Sequence, residues 1–144
     1  MSKLTDSLNI LMANVVTEYF VAHGYHWNVE GQDFSQYHSL FEDIYTDIYS
    51  SIDPIAENLR KLGEYAPFTL GKFTDLRTVE SKEVKPEPKL MAKALLKLNE
   101  EVLAQLVDTF KVANDANEQG IANFLAERID MHQKWAWQLT ASTK

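Results

Sequence analysis

Three of the chain's four histidines, His23, His26 and His38, stand close together in its first third, and Glu42 follows His38 by one helical turn. Fifteen residues beyond His38 comes Asp53, with Glu57 one turn after it. Imidazole nitrogens are borderline donors and carboxylates hard anionic ones, a mixture that binds Fe(II) and still holds Fe(III). The 144 residues include no cysteine, which excludes thiolate metal sites, cysteine nucleophiles and disulfides. Taken alone, a histidine on a helix is ordinarily a hydrogen-bonded core residue, and an acid pair is ordinarily a solvated flank. Read from these residues alone, a metal site has to rest on their joint spacing.

That spacing is specific. Helical bundles that hold two irons within one chain present Glu-x-x-His from two of their helices, and no Glu here is followed by His three residues on. At about 100° per residue, Glu42 lies about 40°, Asp53 about 60° and Glu57 about 100° round a helix from His38, all on one flank. At about 1.5 Å per residue, His38 and Asp53 are roughly 22 Å apart along the axis, too far for one ion to touch both. Two copies of this helix packed antiparallel about a two-fold axis would bring the acid end of one to the histidine end of the other. Two equivalent sites result, each with His26 and His38 from one chain and Asp53 and Glu57 from the other. The axis passes near Tyr45 and Tyr49.

The elements that must position these groups are helices. Leu8, Leu11, Met12, Val15, Tyr19 and Ala22 recur at helical steps, and the stripe extends to His26, which predicts a helix over 3–28. A second helix is expected over 33–62, with Pro54 bending it or loosening one turn. A long connection over 63–87 carries a short helical piece at 74–78. A third helix begins at Pro88, a favoured first position, and runs to about 116. A fourth covers about 119–141. No alternating strand pattern competes, so the fold class is all-α: a four-helix bundle with a long crossover between the second and third helices, in one domain spanning 1–144.

Charge narrows the partners. The formal charge is −7, and residues 1–62 hold nine acids against three bases, so nearly all the excess lies on the first two helices. That balance argues against a general affinity for nucleic acid or anionic membranes. No apolar run is long enough to span a bilayer and no signal-peptide pattern opens the chain, so a cytoplasmic protein is expected.

The residues His26-Trp27-Asn28-Val29-x-Gly31-x-x-Phe34, His38, Phe41-Glu42, Tyr45 and Asp53-x-x-Ala56-Glu57-x-x-Arg60-x-Leu62-Gly63 closely resemble the signature of the Dps family, the mini-ferritins of the ferritin-like superfamily. The match is dense over about 40 residues, and the helix order extends it over nearly the whole chain. The resemblance implies a dodecameric shell, built from two-fold dimers that share ferroxidase sites. It further implies oxidation of Fe(II), with hydrogen peroxide preferred over oxygen, storage of ferric mineral, and iron without an organic cofactor.

On this resemblance His26, His38, Asp53 and Glu57 match the catalytic ligands, and Glu42 stands where the family commonly has an Asp near the metal. Trp27 matches the tryptophan beside the site, a one-electron donor, and Tyr45 and Tyr49 are candidates for the same role. His23 matches no strict ligand and would orient a ligand or a water. Two departures stand out. Where the family lines its three-fold pore with aspartates, this chain has Gly120 and Asn123, leaving Asn123, Glu127 and Asp130 as pore candidates. The Lys-rich tail of DNA-binding members is also missing near the first helix, and twelve subunits would carry roughly −84. DNA binding is therefore not expected without bridging divalent ions. The competing readings are a DNA-shielding shell without strong catalysis and a purely structural helical module.

Overall fold

The computed structural model describes residues 2–144. Five helices follow one another: α1 (Lys3–Asn28), α2 (Phe34–Lys61), α3 (Leu70–Leu76), α4 (Pro88–Asp115) and α5 (Gln119–Ser142). The long-range hydrogen bonds fix how they run. Ser7 Oγ meets Thr109 Oγ1 at 2.6 Å near one end of α1, and Glu30 N donates to Pro86 O at 3.0 Å beyond the other, so α4 is antiparallel to α1. The Tyr37 hydroxyl donates to Ser142 O at 2.6 Å and Arg128 reaches Asp47, so α5 is antiparallel to α2. The 62–87 connection therefore travels the length of the bundle. This is the all-α four-helix bundle with a crossover.

The core stripe on α1 keeps Leu8, Leu11, Met12, Val15 and Ala22 of the expected one and departs from it at Tyr19. Leu4, Leu8, Leu11, Val15, Glu18, Ala22, Tyr25 and Val29 are all buried and alternate steps of four and three, and the apolar ones share one core with Phe41, Ile44, Ile48 and Ile55 of α2. A helix in a bundle presents that heptad seam to its neighbours. The seam runs through Glu18 rather than Tyr19, which lies on its edge and is only partly buried.

One local expectation is corrected. The crossover helix spans Leu70–Leu76 rather than 74–78, because Thr69 caps it by accepting from Lys72 N at 3.2 Å. Thr78 is used differently: its N–H and hydroxyl bond the Asn14 side chain at 2.9 Å each and tie the crossover to α1. Pro54 opens no break in α2, which stays α-helical through it. Ile48 and Ile55 on either side of it are buried, and the Ser50 and Ser51 hydroxyls donate to the Asp47 and Ile48 carbonyls just before it. Among the described residues no helix is long and apolar enough to cross a membrane.

Candidate metal centre

The ends of α1 and α2 converge where the short 29–33 connection turns the chain back. His26 and His38 meet there as stacked rings, with centroids 3.7 Å apart and planes 16° from parallel. Their hydrogen bonds are reciprocal: His26 Nδ1 lies 2.8 Å from His38 O, and His38 Nδ1 lies 2.8 Å from His26 O. A carbonyl can only accept, so both Nδ1 atoms carry a proton, and in the neutral ring each Nε2 keeps its lone pair. Ligating histidines are oriented in the same way, one nitrogen anchored to backbone and the other free for a metal. His26 is almost buried while His38 is half-buried, and Phe34 stacks on His38 at 4.9 Å.

Aromatic rings surround the pair. Tyr45 stands edge-on to His26 at 5.1 Å and stacks on His23 at 3.8 Å. His23 also lies 4.3 Å from Trp27, which is 65% exposed. Tyr49, 62% exposed, touches Tyr19 at 5.2 Å between ring centroids.

The acids do not join them. Glu42, Asp53 and Glu57 are solvent-exposed, and among the described residues no group of three or more His, Asp or Glu side chains is close enough to hold a metal. One chain thus offers two imidazoles at one end of α2 and the carboxylates Asp53 and Glu57 farther along the same continuous helix. Asn123, Glu127 and Asp130 are exposed on α5, spaced by four and three residues on one face.

Sequence reasoning missed a polar cluster in the middle of the bundle. Glu18 of α1 and His132 of α5 are fully buried, with Glu18 Oε1 3.4 Å from His132 Nδ1. Asn99 Nδ2 donates to His132 O at 2.8 Å, so its Oδ1 must accept the His132 Nδ1 proton, also at 2.8 Å. Arg128 grips both Asp47 oxygens at 2.8 Å and lies 3.3 Å from His132 Nε2, and Trp135 Nε1 donates to Asp47 at 2.7 Å. Burial raises Glu18 to about 8, against the pull of Arg128, and lowers His132 to about 3, helped by the Arg128 charge. The Glu18–His132 contact is therefore neutral at pH 7 and no ion pair. Burial works to raise Asp47, but the bonds from Arg128 and Trp135 outweigh it and hold its pKa low. The legible signal was Glu18 itself, a charged residue at a heptad position otherwise filled by Leu, Val, Ala and Tyr.

Comparison with known proteins places the chain. A ferritin-like domain model matches residues 5–143. An uncharacterized low temperature-induced protein of Nostoc is 31% identical over 137 residues, covering 92% of this chain and 76% of that protein. A DNA protection during starvation protein of Helicobacter pylori is 27% identical, over 96% of this chain and 97% of its own length. The crystal structure of a Dps protein from Vibrio cholerae, described as one of the ferritin-like diiron-carboxylate proteins, superposes with a TM-score of 0.94 at 27% identity, over 99% and 89% of the two chains.

Proposed function

This chain belongs to the Dps family of the ferritin-like superfamily, and from that premise we propose that it is an iron-storage ferroxidase whose sites are shared between two-fold-related subunits. The observation that carries the reading is the reciprocal anchoring of His26 and His38, which aims two Nε2 lone pairs from one stacked pair of rings. Two neutral imidazoles alone hold Fe(II) weakly and leave its charge uncompensated. Asp53 and Glu57 of a second copy, with Glu42 near the histidines, would supply the anionic oxygens that favour the ferric product. A binding surface split between two protomers explains why neither half looks like a metal site by itself.

The reaction joins two Fe(II) to one hydrogen peroxide: each iron gives one electron, two protons are taken up, the O–O bond breaks, and two waters leave. Oxygen is the alternative oxidant. The ferric product is stored inside a twelve-subunit shell in the cytoplasm. The test is anaerobic addition of Fe(II) and then peroxide, followed at the ferric absorbance. His26→Ala with His38→Ala should slow oxidation by an order of magnitude or more while the particle still assembles; unchanged kinetics would remove these ligands from the reading.

A further inference from the structure

The rings round the histidine pair form a continuous path that ends in a hydrogen bond of a distinct kind. From His26 it runs through Tyr45 at 5.1 Å to His23 at 3.8 Å, and Tyr19 lies 6.3 Å from Tyr45 and 5.2 Å from Tyr49. The Tyr19 hydroxyl sits 2.8 Å from His23 Nδ1. Two other tyrosines, Tyr25 and Tyr37, give their hydroxyl protons to the backbone carbonyls of Lys82 and Ser142, which cannot take a proton. Among the described residues, Tyr19 is the tyrosine hydrogen-bonded to a nitrogen base. In the tautomer that carries its proton on Nε2, His23 Nδ1 accepts from the Tyr19 hydroxyl.

We propose that Tyr19 and His23 form a redox pair serving the iron site, in which Tyr19 gives up one electron through Tyr45 while its phenolic proton moves to His23 Nδ1. A phenol oxidised with nowhere to place its proton becomes a strongly acidic radical cation, a costly product. A base already at hydrogen-bond distance removes that cost. The proposal rests on the ferroxidase reading and deals with a case the two-iron reaction leaves open, a peroxide that meets a single Fe(II). That iron gives one electron, the O–O bond breaks, and Fe(III), hydroxide and a hydroxyl radical result. The radical takes an electron from Tyr19 and becomes hydroxide; the Tyr19 proton passes to His23, leaving a neutral tyrosyl radical and an imidazolium. A later Fe(II) returns the electron and His23 returns the proton. The sum is two Fe(II) oxidised per peroxide, with no radical released to the shell.

Freeze-quench electron paramagnetic resonance tests this on assembled protein labelled with ring-deuterated tyrosine, given substoichiometric Fe(II) and then peroxide. The wild type is expected to give a tyrosyl signal narrowed by the label. Tyr19→Phe, which keeps the ring and its packing, should lose that signal. His23→Gln keeps the phenol but removes the base, and should lower the yield and shift the high-field g-tensor of what remains. A tyrosyl signal that persists unchanged in Tyr19→Phe, or iron oxidation with no tyrosyl signal in the wild type, overturns the pair alone. Wild-type protein that fails to oxidise Fe(II) at all fells the ferroxidase reading and the pair with it.

Discussion

Hydrogen bonds settle at single residues what residue type leaves open. His26, His38 and His132 are all neutral-capable imidazoles, yet their partners assign them to different work. His26 and His38 spend Nδ1 on carbonyls and keep Nε2 free, whereas His132 is enclosed by Asn99, Glu18 and Arg128 and has no free nitrogen. The buried pair has a consequence for stability. Folded Glu18 keeps its proton up to about pH 8, but unfolded Glu18 loses it near 4.5, so stability falls as pH rises between those values and is level above. His132 works in the opposite sense: the unfolded chain protonates near 6.5 and the folded one only near 3, so stability rises over that window. Between about 4.5 and 6.5 the two slopes oppose each other, and a net fall remains from about 6.5 to 8. Thermal midpoints across pH should trace that shape. Glu18→Gln should abolish the fall above 6.5; a midpoint in that variant that still drops between 6.5 and 8 would refute a buried neutral Glu18.

Among the elements, the first two helices carry the residues of the proposed site, and they share one buried seam. Leu8 and Ile48 are fully buried in this seam, and truncating either to Ala should destabilise the chain by about 2–5 kcal/mol. Pro54 lies one residue after Asp53 inside an unbroken helix, where it contributes no backbone N–H. Pro54→Ala restores that donor and should raise stability by about 1–3 kcal/mol, read as a denaturation midpoint. A lower midpoint would mean that Pro54 makes packing contacts worth more than the hydrogen bond. The helix extents were legible because apolar spacing at 3.6 residues has no rival pattern in this chain. The position of α3 was not, because Thr69 as its cap and Thr78 as a tether to Asn14 depend on groups distant in sequence.

For the whole molecule, the central question is whether the sites are shared. Chains with His26→Ala and His38→Ala can be co-assembled with chains carrying Asp53→Ala and Glu57→Ala. In a mixed pair, one site then combines the intact histidines of one chain with the intact acids of the other. Random mixing should restore about a quarter of the wild-type sites from two inactive parents. No recovery in a well-mixed particle would dismiss the shared site. Size-exclusion chromatography should find a particle near twelve subunits. The acidic balance of −7 per chain should give no gel-shift of DNA at moderate salt without divalent ions, and retardation there would overturn the charge argument.

By itself, the sequence determined the helical class, the crossover, and a split between imidazoles and carboxylates that no single helix can close. These follow from local periodicity and from a fixed rise per residue, both properties of the chain read in order. Only the tertiary structure decided which nitrogen of each histidine is free, that Glu18 is sealed against His132, and that the Tyr19 hydroxyl meets a base. Each of those depends on which atoms face one another across separate turns or helices, and side-chain orientation and desolvation are set by packing, which spacing along the chain does not encode.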